Sequence, residues 1–470
     1  MLYNAEISET RNCEGKMIRK NEEYVVQIID NGFQGEGIAK IDGQVIFVPG
    51  GIKDEVVKIK ILKVTCKMCY AKLLHVLEKS VYRMEEDCKT YDKCGGCDLR
   101  HMDYDYTMQV KKSSVENTLK KVLQKDIKVD EILKMEEPFY YRNKLQYPVG
   151  VSENGEIVMG VFAKRSHRII PVVMCKIQNQ LAQKIAKDIL EFAKQKGILG
   201  YDEKNQTGIL RHIVIRVGRK TNEVMVTLVV NNMKIPKEKE MIDFLTSRYK
   251  QIKTIIKNLN DKNTNVILGQ NNEVIFGNGY IMDELLGKKF KISNLSFYQV
   301  NPIQTEKLYA KAIEYANLTG NETIFDLYCG IGTIGICSSD KAGKLIGIET
   351  IPEAIQDAKE NANLNGVENS EFLVGDVEKT LPEFIKKTNL KADVVFVDPP
   401  RKGCERTALE TLLEIQPGKI VYVSCNPATF ARDLKVLEEK YELKKLAICD
   451  MFPWTGHVEC VAVLQIKKDM

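Results

Sequence analysis

The sequence predicts a multidomain chain: a small β-barrel, then a central α+β region, then an α/β domain built on a doubly wound, mostly parallel sheet. Three observations predict it. At 470 residues the chain is long for one hydrophobic core, and the usual domain size gives a prior of about three domains. Tight-turn signals crowd the first part, and from about Asn301 the pattern becomes strand, helix, strand, helix. The bulk composition agrees with a globular protein, since 44% hydrophobic and 28% charged residues leave no apolar run near the roughly 20 residues that span a bilayer. No membrane association is therefore expected. A net charge of +5 is small beside 69 basic and 64 acidic residues, so it permits a polyanionic partner without demanding one. Met1-Leu2-Tyr3-Asn4-Ala5-Glu6 lacks the basic and apolar regions of a signal peptide, which favours a cytoplasmic location. Without a secretion signal, thirteen cysteines argue for thiols, metal ligands or catalysis rather than a disulfide framework.

From Tyr24 to Leu77 short strands are expected at Tyr24–Ile29, Gly37–Ile41 and Gln44–Val48, divided by Asn31-Gly32 and Asp42-Gly43. Asp-Gly between alternating apolar residues is a strong hairpin signal. After Pro49-Gly50-Gly51 comes a basic strand, Val56–Val64. Small barrels of this kind bind single-stranded nucleic acid across a strand face, or serve as plain structural modules with solvated lysines. Cys88 to Cys97 reads as a cysteine-rich loop, followed by a helix over about 104–124 that is expected to pack on the last domain. Between Tyr140 and Lys289, strands at Ile209–Val217 and Val224–Val230 alternate with helices near Gln180–Lys196 and Lys234–Tyr249, and the Thr221-Asn222 turn implies a mixed or antiparallel α+β unit.

In the last region, strands are expected at Thr323–Tyr328, Lys344–Glu349, Glu371–Val374, Asp393–Val397 and Lys419–Ser424. Open sheets of this type bind ligands outside the carboxyl ends of their strands. The first strand runs into Asp326-Leu327-Tyr328-Cys329-Gly330-Ile331-Gly332-Thr333-Ile334-Gly335, a literal G-x-G-x-x-G. Gly330 lets backbone approach a cofactor, Glu349 ends the next strand where ribose hydroxyls need an acceptor, and Asp376 ends the third where an adenine amino group would. A nicotinamide dehydrogenase and an S-adenosylmethionine methyltransferase both fit the loop. The dehydrogenase lacks its usual acid-base histidine, because only His457 of five histidines lies beyond the loop.

Asp398-Pro399-Pro400-Arg401 ends the fourth strand in an acid and a rigid turn. Enzymes that methylate exocyclic nitrogens place a stacking aromatic where Arg401 stands, so that chemistry loses its platform. The chain offers instead Ser424-Cys425-Asn426-Pro427, a thiol at the neighbouring strand end. Carbon 5 of a pyrimidine is too weak a nucleophile to take a methyl group unaided, and thiolate addition at carbon 6 activates it. A base must then remove the carbon 5 proton. The candidate is Glu459 in His457-Val458-Glu459, opening the last apolar strand, where a buried acid would be costly without purpose. The competing reading is an exposed edge carboxylate. His457 is read as a structural turn residue.

Taken together, these motifs resemble the RNA uridine-5-methyltransferases that act on ribosomal and transfer RNA. The resemblance rests on Ser296-Phe297-Tyr298-Gln299-Val300-Asn301, Asp326 to Gly330, Asp398 to Arg401, Ser424 to Pro427 and His457 to Glu459, and it covers nearly the whole chain. It implies a TRAM-like RNA-binding barrel over 17–79, a central α+β domain over 80–290 and a Rossmann-like methyltransferase domain over 291–470. It implies that Gln299, Tyr328, Glu349 and Asp398 contact S-adenosylmethionine, that Cys425 is the nucleophile and that Glu459 is the base. Phe297 is implied to touch RNA bases and Arg142 to orient the target, while Gly330 and Asp376 come from the loop argument above. Cys88, Cys94, Cys97 and Cys175 match the spacing by which some members hold a four-iron, four-sulfur cluster. Four thiolates suit zinc equally, and Cys66-x-x-Cys69 with Cys94-x-x-Cys97 forms a formal pair of knuckles. The cluster is the expected group, because Cys66 and Cys69 read as strand and turn residues. Cys329, Cys337, Cys404, Cys449 and Cys460 read as small buried hydrophobes, with exposure expected for Cys404. The expected substrate is 23S ribosomal RNA, because transfer RNA enzymes of the bacterial type resemble a shorter chain without barrel or cluster cysteines; the alternatives are the same chemistry on transfer RNA, or an RNA-binding scaffold with a degenerate methyltransferase fold, against which the intact Cys425, Asp398 and Glu459 speak. No obligate protein partner is evident.

Overall fold

The computed structural model describes residues 18–164, 166–172 and 174–467. It divides into two compact units, the first formed by the described residues up to Asp87 with Cys97–Ser114 and Trp454–Gly456, and the second by the rest.

In the first unit, strands β1 (Glu23–Gln27), β2 (Asp30–Asn31), β3 (Gly37–Ile41), β4 (Gln44–Val48), β5 (Val56–Val64) and β6 (Met68–Glu78) form one six-stranded sheet in the order β1-β5-β6-β4-β3-β2. Asp42 and Gly43 both have positive φ (48° and 81°), which is the type I′ turn that an Asp-Gly pair makes cheaply. Alternation does the rest. Val57, Ile59 and Ile61 enter a core with Val26, Ile46, Val48, Cys69 and Ala71, while Lys58 and Lys60 of the same strand stay out of it. On that outer side Lys60 lies opposite Lys72, and Phe47 stacks on Tyr70 with ring centroids 5.7 Å apart. Cys69 is thus a core residue and Cys66 an exposed turn residue. Helix α1 (Tyr104–Leu123) begins in this unit, where Tyr106 and Val110 pack with Ile52, Leu99 and Met102.

The second unit holds two large sheets. Strands β7 (Glu131–Leu133), β8 (Lys144–Val151), β9 (Ile157–Phe162) and β10 (Ile169–Pro171) are followed by α2 (Gln180–Gln195), β11 (Leu210–Val217), β12 (Val224–Val230), α3 (Glu238–Arg248), β13 (Ile252–Leu259) and β14 (Asn271–Gly277). The order β10-β9-β8-β11-β12-β13-β14 makes a seven-stranded mixed sheet, and α2 and α3 cover one face of it. Helix α2 forms because its apolar residues recur at helical spacing (Ala182, Ile185, Ala186, Ile189, Phe192, Ala193) and Asn179 caps its first turn by accepting from the Ala182 amide. A hairpin, β15 (Tyr280–Leu285) with β16 (Lys288–Ser293), leads into α4 (Pro302–Ala316).

From there the chain alternates through β17 (Thr323–Leu327), α5 (Thr333–Ser338), β18 (Lys344–Glu349), α6 (Pro352–Leu364), β19 (Ser370–Val374), α7 (Val377–Thr388), β20 (Val394–Val397), α8 (Arg406–Ile415), β21 (Lys419–Ser424) and α9 (Pro427–Leu437), and closes with β22 (Tyr441–Cys449) and β23 (Glu459–Ile466). The eight-stranded sheet has the order β19-β18-β17-β20-β21-β23-β22-β7, parallel except for β23. Its core strands are continuous apolar runs such as Val394–Val397, as a sheet covered on both faces requires.

The multidomain class matches the expectation, but the partition is less clean than 17–79, 80–290 and 291–470. Glu131–Leu133 adds a strand to the last sheet, and the second half of α1 packs there through Val115, Leu119 and Leu123. The β15–β16 hairpin buries Ile281, Phe290 and Ile292 against α4 and the same domain. Neither a three-residue strand nor a hairpin of alternating Lys and apolar residues declares which sheet will cover it. Among the described residues, no helix is long and apolar enough to cross a membrane.

Candidate active site

The parallel strands of the eight-stranded sheet end on one edge, and each delivers a polar residue there. Strand β17 delivers Tyr328, β18 Glu349, β19 Asp376, β20 Asp398 and β21 Cys425. Because β23 runs antiparallel between β21 and β22, its first residue arrives at the same edge. Ser424 pairs with Cys460, so the next step of the register sets Cys425 opposite Glu459.

Two turns hold this edge in place. Asn426 caps α9 by accepting from the Ala428 amide (3.1 Å), and its Nδ2 donates to the Arg401 carbonyl (3.1 Å). One side chain thereby ties the end of β21 to the end of β20. Below, Asp433 accepts from the Cys404 amide (2.8 Å) and the Tyr422 hydroxyl (2.6 Å), while Arg432 donates to the Lys402 and Cys404 carbonyls. Cys404 is 5% exposed, contrary to the exposure expected for it, because this network draws its turn against α9.

Burial sets the electrostatics. Removal from water, reinforced by the Asp398 carboxylate, pushes Glu459 up to about 8, and Arg401 pulls it partly back. Burial alone raises Asp398 to about 7. Cys425 is pushed up to about 11 by burial and then by Glu459 and Asp398, again opposed by Arg401. A thiol, two carboxyls of near-neutral pKa and one guanidinium therefore sense one another. Glu459 is 4% exposed, so it is not an edge carboxylate in water. Arg401 was read from sequence only as a missing aromatic, and its part in this balance could not be found without the strand order.

The cofactor loop is built from the same edge. Tyr328 takes a positive φ of 63° and its hydroxyl donates to Glu378 Oε1 (3.0 Å). Gly330 also has positive φ, 55°, and its amide donates to Glu349 Oε2 (3.2 Å). Glu349 Oε1 accepts from the amides of Thr350 and Ile351 (2.7 and 3.1 Å), which fixes its carboxylate at the strand end. A side chain on Gly330 would meet nothing within 4 Å, so open space lies over the loop. Beneath it, Asp326 accepts the Gly335 amide through Oδ2 (2.8 Å), is raised to about 7 mainly by burial, and has no hydrogen-bond partner for the buried Oδ1. An open glycine bend beside an anchored carboxylate fits a nucleoside-type cofactor. Asp376 lies one residue beyond Gly375, whose amide donates to the Glu349 carbonyl, which keeps the third strand end beside the second.

Gln299 and Phe297 precede α4. The Gln299 carbonyl accepts from Asn143 Nδ2 (3.0 Å), and Phe297 stands 69% exposed, unusual for a large aromatic without a binding role. Helix α4 reaches the cofactor loop, where the Tyr309 hydroxyl lies 3.2 Å from Thr333 Oγ1. Arg142 lies in an extended segment bridged to Gln178, where its charge acts on Cys175.

Cys88, Cys94 and Cys175 also come within electrostatic range of one another, since Cys175 and Cys88 both push the Cys94 thiol up and Cys88 pushes up Cys175, each behind the larger effect of burial. Peptide amides address two of these sulfurs, with Gly96 N–H donating to Cys94 Sγ (3.2 Å) and the amides of Ile177 and Gln178 serving Cys175. Amide donors of this kind stabilise thiolates, so the donor chemistry fits a thiolate-bound metal group. Cys97 belongs to the first unit by its contacts. Among the described residues, no group of three or more His, Cys, Asp or Glu side chains is gathered at ligand spacing. A large cavity of about 1060 Å³ lies elsewhere, along β8 and β9 and lined by residues such as Phe162, His167, Arg211 and His212. Size does not make it the active site, since none of the residues gathered at the Cys425 edge lines it.

The chain is similar to known proteins over most of its length. A family model described as tRNA (Uracil-5-)-methyltransferase matches residues 103–468, and a TRAM domain model matches residues 19–74. An uncharacterized RNA methyltransferase of Oceanobacillus iheyensis is 46% identical over 96% of this chain and 98% of its own length. A second, from Clostridium acetobutylicum, is also 46% identical, over 95% of this chain and 98% of its own. Among solved structures, the tRNA (uracil-54, C5)-methyltransferase of Pyrococcus abyssi in complex with S-adenosyl-L-homocysteine is similar with a TM-score of 0.75 and 27% identity, covering 94% of this chain and 100% of that one.

Proposed function

Because the chain belongs to the tRNA (uracil-5-)-methyltransferase family of RNA methyltransferases, we propose that it methylates carbon 5 of a uridine in 23S ribosomal RNA through a covalent bond to Cys425. The observation that carries the mechanism is the register that sets Cys425 opposite Glu459 beside Asp398. S-adenosylmethionine supplies an electrophilic methyl group when bound. Gln299, Tyr328, Gly330, Glu349, Asp376 and Asp398 would hold it, with Glu349 already oriented by its three amides.

The residues then divide the work. Cys425 gives up its thiol proton, and of the two raised carboxyls beside it Asp398 would accept it, which leaves Glu459 free as a carboxylate for the later step. The Cys425 sulfur bonds to carbon 6 of the uracil, and the electron pair of the 5,6 double bond moves toward the carbonyl oxygen on carbon 4. Carbon 5 uses that pair to take the methyl group. Glu459 removes the carbon 5 proton, the carbon–sulfur bond breaks, and the double bond returns with the thiolate released. A base with a pKa near the working pH is the effective one, and burial brings Glu459 there.

The outward side of the barrel, with Lys60 and Lys72 near the Phe47–Tyr70 stack, supports RNA binding by charge and stacking. Cys88, Cys94, Cys97 and Cys175 are the residues that would hold a four-iron, four-sulfur cluster. An anaerobic preparation should be brown and contain iron and sulfide, whereas colourless protein with zinc would reverse that assignment. Transfer RNA is the second reading. One observation favours it: the Pyrococcus abyssi transfer RNA enzyme matches over its full length, so barrel and chain length do not separate the two substrates. Mapping 5-methyluridine in ribosomal and transfer RNA from cells with and without the gene decides. Loss of a 23S modification supports the first reading, loss of a transfer RNA modification replaces it with the second, and no loss in any RNA removes both.

A further inference from the structure

Strands β8 and β11 pair so that Lys144 lies directly across from Arg216. Leu145 and Tyr147 of β8, with Ile213, Ile215 and Val217 of β11, face the core under α2 and α3, so alternation places Lys144 and Arg216 together on the opposite face. Like charges directly opposite each other destabilise a sheet, and burial compounds the cost. Arg216 is 6% exposed, donates from Nη2 to the Ser296 carbonyl (2.6 Å), and leaves its buried Nε without a partner. Lys144, half-buried, makes no hydrogen bond or ion pair among the described residues, and burial together with Arg216 pulls its ammonium down to about 7.

The carboxylates of the adjoining elements are engaged elsewhere. Asp283 accepts from the Lys220 amide (2.9 Å) and the Tyr298 hydroxyl (3.3 Å), and Asp357 from the hydroxyls of Ser293 and Ser296 (2.8 and 2.6 Å). Two adjacent cations without an anion form a site that an anionic ligand completes, and a guanidinium beside an ammonium suits phosphate oxygens. Their position narrows the ligand. Arg216 holds the carbonyl of Ser296, immediately before the exposed Phe297, and Asn143, immediately before Lys144, holds the Gln299 carbonyl through its side chain and donates its amide to Val300 (2.9 Å). The pair therefore flanks the segment that carries both an exposed aromatic and an expected cofactor contact.

We infer that Lys144 and Arg216 bind one phosphodiester of the RNA strand that carries the target uridine, with a neighbouring base on Phe297. This rests on the functional reading above. The test uses the full-length protein, oligouridylate as the binding probe, and three measurements: the salt dependence of RNA affinity, S-adenosylmethionine affinity, and 5-methyluridine formation. Lys144→Gln should weaken oligouridylate binding at low salt and flatten the log–log salt slope by about 0.7, the share of one phosphate on a single strand. Lys144→Arg should restore the slope, and S-adenosylmethionine affinity should not change in either variant. A Lys144→Gln slope equal to wild type, in protein that still methylates RNA, overturns the phosphate site alone. Weaker S-adenosylmethionine binding would instead give the cations to the cofactor's carboxylate and overturn it as well. Wild-type protein that binds oligouridylate yet forms no 5-methyluridine in any RNA overturns the functional reading itself.

Discussion

Glutamine at position 459 keeps the shape of Glu459 and removes its charge, and the side chain makes no hydrogen bond among the described residues that would be lost. In the folded protein the carboxyl stands at about 8, against an ordinary value of 4.5, chiefly because burial disfavours the carboxylate. A folded-state value raised above the unfolded one makes a contribution to stability that is complete below about pH 4.5 and is lost as the pH rises through about 8. Integrated between pH 5 and 8.5, that loss comes to about 4 kcal/mol. Glu459→Gln escapes it. Urea unfolding of the ligand-free protein should therefore show variant and wild type close together near pH 5, with the variant gaining about 4 kcal/mol relative to wild type by pH 8.5. Asp326, raised to about 7, gives the two proteins a common downward trend that cancels in the comparison. The same variant should lose on the order of 10² to 10⁴ in turnover and accumulate methylated RNA joined to Cys425, seen as a slow band in a denaturing gel. Parallel stability profiles would refute the buried carboxyl, and loss of turnover without the adduct would move the base elsewhere.

Cys425→Ala should abolish 5-methyluridine formation and leave S-adenosylmethionine binding intact by calorimetry; turnover in that variant ends the nucleophile assignment. In the free enzyme, alkylation of Cys425 should be slow at neutral pH and accelerate toward about pH 11, with a plateau near pH 7 as the contrary result. Arg401→Ala removes the group that holds both Glu459 and Cys425 down, so the acid limb of kcat/KM should move to higher pH; a shift downward would place Arg401 outside the site. Asn426→Ala loses a helix cap and the bond to the Arg401 carbonyl, at a cost of about 1 to 2 kcal/mol in urea unfolding, and should lower turnover more than S-adenosylmethionine affinity.

Much of the fold could be read from local chemistry. The ranges Gly37–Ile41, Gln44–Val48, Val56–Val64, Lys344–Glu349 and Lys419–Ser424 coincide with observed strands, because alternation or an unbroken apolar run between turn residues is a strong local signal. Strand β22 is not legible because one of its partners, β7, lies far back in the chain, and the β15–β16 hairpin, though its two strands pair locally, does not declare the core that covers it. Cys425 and Glu459 stand out by type and by their place at strand ends. What sequence could not supply is that β23 enters between β21 and β22, which alone makes them neighbours. The pairing of Lys144 with Arg216 was equally hidden, because two basic residues 72 positions apart meet only through the β8–β11 register. Cys404 was misjudged for the same reason: its burial comes from Asp433 on another helix, and no feature of its own turn announces it.

The middle position of β23 has a consequence for assembly. Strands β21 and β22 precede it in the chain, yet in the finished sheet they do not touch; the later strand separates them. Without β23 the strand end that carries Cys425 has no neighbour on that side, so Glu459 reaches the group formed by Cys425, Asp398 and Arg401 only through the strand that completes this part of the sheet.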